Sequence, residues 1–215
     1  MNYICLDIGN VICRIDFNKF ISKISMDLCE SAIRIKKKIN YDQRAHDIGL
    51  LNLRETLENN LDITSPDVLD RILIEWNKMI VFDRSILDRF QNMSDKYGLK
   101  IALLSNLGFE HTILVREKLS NSSFEAFKNS IKYLSCEVGA RKPQSIFFQS
   151  FLLRYPMFKG CIYLDDLQEN LDASEPFGFR TMNFDLSTMG EDVISTKLDE
   201  IENEIIVVKK NSRRH

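Results

Sequence analysis

The sequence lacks the features of a disulfide-stabilised, zinc-binding or membrane-spanning protein. Its five cysteines are odd in number and scattered, and none belongs to a CxxC pair, so neither a disulfide framework nor a zinc site is indicated. Apolar runs such as Ile101–Leu104 have the length of a strand and are too short to span a membrane. The N-terminus has no basic start followed by a cleavage region. These absences predict a reduced, soluble, cytoplasmic protein with no membrane partner.

Excess charge of one sign is also missing. The formal net charge is −2, which provides no bulk attraction to nucleic acid or to an anionic membrane. The basic tail at 209–215 is therefore expected to be a solvated terminus and not a nucleic-acid arm. With 44% apolar and 28% charged residues, the 215-residue chain is typical of one globular domain or of a core domain with a modest insertion.

Short apolar runs, each followed by polar residues or a turn, predict the buried strands of a parallel sheet. These runs are Tyr3–Leu6, Ile101–Leu104, Ile162–Leu164 and the weaker Arg180–Phe184. Helical patterns lie between them. The segment 83–97 has Asp83 as its N-cap and Gly98 as its stop, and a second helix is expected to begin at Pro143, with one apolar face formed by Ile146, Phe147 and Phe151. This alternation predicts an α/β fold with a doubly wound, Rossmann-like parallel sheet.

The region from about 17 to 80 breaks the alternation, because it contains amphipathic helices and no convincing strand. The clearest helix opens at Ser65-Pro66 and places Val68, Leu69, Ile72, Leu73 and Trp76 at helical spacing. An all-helical insertion after the first strand is typical of a cap. We therefore expect a core domain formed by residues 1–15 and 82–215, and a small helical cap formed by residues 16–81.

Polar residues follow the predicted strands at the sheet edge where open α/β proteins bind ligands. Asp7 follows the first strand, where a turn residue and a functional carboxylate are equally plausible. Ser105 and Asn106 follow the second strand and could bind phosphoryl oxygens, although such a pair is commonly a turn. Lys142 stands before a helix start, where the ammonium and the helix N–H groups would favour an anion.

Adjacent carboxylates follow the third strand. Asp165 and Asp166 would repel one another without a nearby cation or base, so their position indicates a site for a hard cation, with Mg²⁺ as the natural occupant. Taken separately these motifs are weak. Their order along the chain is far more specific.

This ordered set resembles the four motifs of the haloacid dehalogenase (HAD) superfamily, and the resemblance covers nearly the whole chain. The matching positions are Asp7, Ser105, Lys142 and Asp165-Asp166. The chain looks most similar to the branch with a small helical cap, and within it to glucose-1-phosphate phosphatases. The resemblance implies that Asp7 is the nucleophile and forms a phosphoaspartate.

The same resemblance implies roles for the other residues. Ser105, Asn106 and Lys142 would bind the transferring phosphoryl group, with Ser105 and Lys142 also taking part in catalysis. Magnesium would be held by Asp7, the Gly9 carbonyl, Asp165 and Asp166, directly or through water. The implied function is magnesium-dependent hydrolysis of a small phosphate ester, such as a phosphorylated sugar or similar metabolite. Oligomeric state is left open between monomer and homodimer.

Gly9 is a departure from most phosphatases of the superfamily, which carry there a second aspartate that acts as general acid and base. The glucose-1-phosphate phosphatase branch shares this glycine. Asp16 could substitute, although a helix-start aspartate is the simpler interpretation. Two alternatives stay open, namely a 2-haloacid dehalogenase-like hydrolase, for which Arg14 is a candidate partner, and a weak or inactive binding or assembly protein. His46 and His111 are interpreted as surface or hydrogen-bonded helical residues.

Overall fold

The structure is a computed structural model that describes residues 2–211, with side chains described for residues 2–207. Its strands are β1 (Asn2–Leu6), β2 (Cys13–Ile15), β3 (Ile80–Phe82), β4 (Leu99–Ser105), β5 (Ile131–Leu134), β6 (Ile162–Asp165) and β7 (Arg180–Asn183). Its α-helices are α1 (Phe17–Leu28), α2 (Ala32–Tyr41), α3 (Gln43–Asp47), α4 (Leu53–Leu61), α5 (Pro66–Lys78), α6 (Arg84–Tyr97), α7 (Phe109–Ser120), α8 (Glu125–Lys128), α9 (Ser135–Val138), α10 (Ser145–Arg154), α11 (Gln168–Ser174) and α12 (Glu191–Asn211). The predicted basic tail lies outside the residues whose side chains are described.

A five-stranded sheet in the order β5-β4-β1-β6-β7 forms the core, and every pairing within it is parallel. Successive side chains of a strand point to opposite faces, and here both faces are buried. Ile4 and Leu6 of β1 pack into one apolar cluster with α6 and α12, whereas Cys5 packs into the opposite cluster with α10. The prediction of a doubly wound α/β sheet is confirmed.

Of two helices predicted for the core, one agrees with the structure and the other begins later than predicted. Helix α6 matches the prediction, because the Asp83 side chain accepts hydrogen bonds from the first turn and Gly98 ends the helix in the left-handed conformation. Helix α10 begins at Ser145, two residues later than predicted, after a turn that contains Pro143. Ile146 was wrongly placed on its buried face. Ile146 is 55% exposed, whereas Phe147, Phe148 and Phe151 are fully buried.

Helices α1–α5 pack around an apolar cluster of their own, which includes Leu69, Ile72 and Trp76 from the predicted helix α5. The chain enters and leaves these helices through β2 and β3, which pair antiparallel. This small sheet was not predicted, because each of its strands is three residues long and too short to show a period. Over residues 2–211, no helix is long and apolar enough to cross a membrane.

Candidate active site

The strand order brings the predicted motifs together. Strands β4, β1 and β6 are neighbours, so their carboxyl ends place Ser105, Asp7 and Asp165 side by side at one edge of the sheet. Asp7 is 7% exposed, Ser105 is 2% exposed and Asp165 is fully buried. Burying three polar side chains next to one another costs free energy unless they bind one another or a ligand.

Lys142 supplies the positive charge of this cluster. Its ammonium nitrogen lies 2.9 Å from Oδ1 of Asp7 and 2.5 Å from Oδ2 of Asp165, and the side chain is 1% exposed. Burial alone would lower the pKa of Lys142, but the charges of Asp165 and Asp7 outweigh burial and raise it. Lys142 is therefore a fixed cation that touches both carboxylates.

Asn106 holds the backbone of Lys142 from both sides. Its amide nitrogen donates to the Lys142 carbonyl at 2.9 Å, and its Oδ1 accepts from the Lys142 N–H at the same distance. Both polar atoms of the side chain are thus engaged by the backbone. The amide of Asn106 positions Lys142, and its predicted contact with a phosphoryl group remains a prediction.

Asp165 is surrounded by donors. Its Oδ2 accepts from Lys142 and from the hydroxyl of Tyr163, and its Oδ1 accepts from the Leu167 N–H and the Asn170 amide, both at 2.9 Å. Burial alone would raise the pKa of Asp165, but Lys142 and the hydrogen bonds lower it. Asp165 is held as a carboxylate by the protein itself.

Asp166 has fewer partners. Asn10 donates to its Oδ2 at 3.0 Å, and Asn10 has a positive φ of 51°, which asparagine tolerates better than most residues. Burial, followed by the charge of Asp7, raises the pKa of Asp166 to about 7. The contact of Asn10 with Asp166 was not predicted from the sequence.

Three carboxylates converge here with one lysine to balance them. Ligand oxygens of Asp7, Asp165 and Asp166 all lie within 4.8 Å of one another. Burial raises the pKa of Asp7, against the opposing effects of Lys142 and of a hydrogen bond from Ser105. An oxygen-rich, buried group with surplus negative charge fits a hard divalent cation such as Mg²⁺.

Gly9 lies beside Asp7, and the end of one apolar side chain lies close to the position that a Cβ on Gly9 would take. A Cβ at Gly9 would stand 2.8 Å from Cδ1 of Ile15, the last residue of β2. A side chain at this position would require the terminal methyl group of Ile15 to shift. The unpredicted strand β2 therefore shapes the site, since it places the apolar side chain of Ile15 beside Gly9.

Asp16 and Arg14, which the sequence suggested as possible catalytic residues, are bound to other groups outside the cleft. The Asp16 side chain caps α1 by accepting from the Lys19 N–H, as the simpler interpretation had it. Arg14 is 3.3 Å from Asp83 and donates to the Leu186 carbonyl, and it does not line the cleft formed by the described residues. Neither side chain reaches Asp7 through a contact recorded among residues 2–207.

Two adjoining cavities open from the cluster. The first, here called the catalytic cleft, has a volume of about 210 Å³ and is lined by Asp7, Ser105, Lys142 and Asp166. The second, the cap cavity, has about 360 Å³ and lies between helices of the cap and the start of α7. Residues that line both are Ile15, Gln43, Asp47, Asn106 and Leu107. A molecule with its phosphoryl group in the cleft could extend into the cap cavity.

His46 and His111 are both hydrogen-bonded helical residues, as one of the two interpretations had it, and both also line the cap cavity. His46 contacts Glu110 of α7 at 3.1 Å, and a Cβ on Gly108 would stand 1.9 Å from the His46 ring, so glycine allows this approach. His111 stacks on Trp76 at 4.7 Å, and burial lowers its pKa to about 4. Sequence offered no signal for this, because the contacts join α3, α5 and α7.

Comparison with known proteins finds similar structures but no matching family model or curated protein sequence. A HAD family enzyme from Bacteroides thetaiotaomicron, an aspartate-to-alanine mutant in complex with magnesium and inorganic phosphate, superposes with a TM-score of 0.72 at 20% identity, covering 89% of this chain and 98% of that one.

More distant structures share the architecture. A predicted HAD-like family hydrolase from Porphyromonas gingivalis has a TM-score of 0.69 at 17% identity, over 92% of this chain and 98% of that one. An L-2-haloacid dehalogenase has a TM-score of 0.58 at 14% identity, over 84% and 83%. The chain therefore has the fold of the HAD family enzymes and haloacid dehalogenases.

Proposed function

We propose that the protein is a magnesium-dependent phosphatase that transfers the phosphoryl group of a small ester to Asp7 and then to water. The observation that carries the proposal is the buried cluster of Asp7, Asp165 and Asp166 with Lys142 at the carboxyl edge of the sheet. Its chemistry suits a doubly charged phosphoryl group bound together with a divalent cation. Magnesium complexes of a protein with this fold add support.

Asp7 and Asp166, with the Gly9 carbonyl, are the residues we propose to hold magnesium, with Asp165 beside them. When bound, the cation neutralises charge on the phosphoryl oxygens and favours the ionised form of Asp7. Lys142 contributes a second, permanent positive charge next to Asp7. Ser105 donates to Asp7 and so helps to orient the attacking oxygen.

In the first step an Asp7 oxygen forms a bond to phosphorus, and the bond from phosphorus to the ester oxygen breaks. The ester oxygen leaves with the bonding electron pair and takes a proton, which gives the alcohol. In the second step water attacks the phosphoaspartate, Asp7 leaves as a carboxylate, and inorganic phosphate is released. Helices between 16 and 81 serve as the cap, and we place the leaving alcohol in the cap cavity.

The cap cavity supports a hydroxylated leaving group, such as a sugar. Trp76 offers an aromatic face there, and three buried polar atoms at its wall have no hydrogen-bond partner among the described atoms, namely Nε1 of Trp76, Oγ1 of Thr56 and Oδ2 of Asp47. Buried polar atoms without partners are few in native proteins, and three of them on residues that line one cavity favour a ligand whose hydroxyls become their partners when these side chains shift on binding.

The test is hydrolysis of a panel of phosphomonoesters, sugar phosphates included, with and without magnesium. We expect magnesium-dependent phosphate release by the wild type and none by Asp7→Asn. Absence of phosphate release together with absence of magnesium-dependent beryllium fluoride binding would contradict the proposal. Halide release from a 2-haloacid would instead favour a dehalogenase. The cluster of three carboxylates and the ion pair of Arg14 with Asp83 are poorly suited to that reaction.

A further inference from the structure

The proposed reaction needs a proton donor at the leaving oxygen, and Gly9 has no side chain that could donate one. Titratable and charged side chains that line the catalytic cleft are Asp7, Asp47, Arg141, Lys142 and Asp166. Asp7 is the nucleophile, and Asp166 belongs to the carboxylate cluster. Lys142 is bound by two carboxylates, and an arginine stays protonated in proteins. Among the residues described, this leaves Asp47.

Asp47 is the last residue of α3 and lines the cleft and the cap cavity together. It therefore lies where the phosphoryl group would meet the leaving alcohol. Its side chain is 8% exposed. The Ser135 hydroxyl donates to its backbone carbonyl at 2.5 Å, which fixes the end of α3 against the core and leaves the carboxyl group free of that role.

The carboxyl group of Asp47 is incompletely satisfied. Nε of Arg141 lies 3.3 Å from Oδ2, yet neither atom has a partner with hydrogen-bond geometry among the described atoms. The pair is thus close enough for attraction, while Oδ2 is buried and accepts no hydrogen bond from the described atoms. A buried carboxylate oxygen without a hydrogen bond is costly, and such positions are frequent at functional sites.

The groups that face Asp47 are Arg141 from the loop before α10 and His46 from α3, with Glu110 of α7 behind His46. Burial is the largest influence and raises the pKa of Asp47, whereas Arg141 and His46 oppose it. The net direction is upward. A carboxyl group whose pKa is raised toward the working pH is suited to give and take a proton.

We propose that Asp47, carried by the cap, is the general acid and base of this phosphatase in place of the aspartate that Gly9 lacks. The inference rests on the proposed function. As the bond from phosphorus to the ester oxygen breaks, the Asp47 carboxyl proton passes to that oxygen, giving the alcohol and an Asp47 carboxylate. That carboxylate then takes a proton from water as the water oxygen attacks the phosphoaspartate, so the proton on Asp47 is restored.

The test compares two esters in Asp47→Asn, because a general acid matters for an alkoxide leaving group and much less for a nitrophenolate. For an alkyl phosphate that the wild type hydrolyses, we expect kcat/KM to fall about 10² to 10⁴-fold. With p-nitrophenyl phosphate, the first burst of nitrophenolate should stay within about tenfold of wild type. Steady-state turnover should then slow, and phosphoenzyme should accumulate on Asp7, because water lacks its base.

Arg141→Gln separates proton transfer from anchoring of the cap. It breaks the same ion pair but keeps the Asp47 carboxyl group, so the ratio of alkyl to nitrophenyl activity should stay within a few-fold of wild type. Asp47→Glu should also keep this ratio. Asp67→Asn, an exposed cap aspartate that lines neither of the two cavities, is the matched control and should leave both activities unchanged.

Equal losses on both esters in Asp47→Asn, an unchanged ratio, or no accumulation of phosphoenzyme would overturn the inference. Thermal unfolding and beryllium fluoride binding establish that each variant folds. If Asp47→Asn does not fold, the wild-type burst rate is measured over esters of rising leaving-group pKa. A shallow dependence supports an acid at the leaving oxygen, and a steep one overturns it. A wild type inactive on both esters would instead refute the proposed function.

Discussion

Replacing Lys142 with methionine tests whether one ammonium group holds two buried carboxylates in the fold. The ammonium touches Asp7 at 2.9 Å and Asp165 at 2.5 Å, and it is 1% exposed. Methionine keeps an unbranched stem but leaves both carboxylates without their cation. Removal of one partner from a buried ion pair costs about 3–5 kcal/mol. Because two carboxylates lose the same partner, we expect the upper part of that range.

The assay is urea unfolding at neutral pH, first with a chelator and then with magnesium. In the chelator, Lys142→Met should lose about 4–5 kcal/mol of unfolding free energy relative to wild type. Magnesium at 100 times its dissociation constant adds about 2.7 kcal/mol to a folded protein that binds it, so the unfolding free energies of the variant and of the wild type should both rise by about this amount. Lys100→Met, an exposed lysine on β4, is the control and should change stability by at most about 0.5 kcal/mol.

The pH dependence provides a second check on Lys142→Met. In the wild type the folded pKa of Asp165 is lowered, so its contribution is present above the unfolded pKa and is lost as the pH falls. In the variant, burial without Lys142 raises the pKa of both carboxyl groups, so stability should rise as the pH falls and protonates them. The two stability curves should converge in acid. A loss below about 1 kcal/mol in the chelator, with parallel pH curves, would refute the reasoning.

Three further predictions concern single side chains. Burial lowers the pKa of His111 to about 4, so the folded protein should lose up to about 3 kcal/mol of stability as the pH falls from about 6.5 to 4. In His111→Asn, the unfolding free energy measured in urea should depend less on pH over this range. An unchanged pH dependence would contradict the prediction. Asp166→Asn should weaken magnesium binding at least about tenfold in calorimetry, because it removes one of three clustered carboxylates, and equal affinity would remove Asp166 from the metal site. Asp16→Asn should leave turnover within about twofold of wild type, since Asp16 only caps α1, and a large loss would return it to the mechanism.

The sheet and the position of Asp7 were predictable because each depends on local sequence. Runs such as Ile162–Leu164 are apolar on every residue, which identifies a strand buried on both faces, and parallel strands necessarily bring their carboxyl ends together. Lys142 and Asp165 followed from the same rule. The contact between Lys142 and Asp165 joins distant parts of the chain, so the order of motifs predicted it only through the family resemblance.

Features that depend on contacts between distant elements were not predictable. Asn106 was expected at a phosphoryl group, but its amide binds the Lys142 backbone across 36 residues. His46 and Asp47 lie on a five-residue helix whose sequence has no clear period, and their importance arises only where α3 meets α7 and Arg141. Strand β2 is only three residues long, yet it brings the side chain of Ile15 against Gly9 in the active site.

The central claim is that Asp7 attacks phosphorus, and the most direct measurement is the location of phosphate or its analogue on the protein. Wild-type protein with magnesium and beryllium fluoride should crystallise with the fluoride complex bonded to a carboxylate oxygen of Asp7, and Asp7→Asn or a chelator should abolish it. Absence of the adduct from wild-type protein in magnesium, or an adduct that persists in Asp7→Asn, would contradict the account.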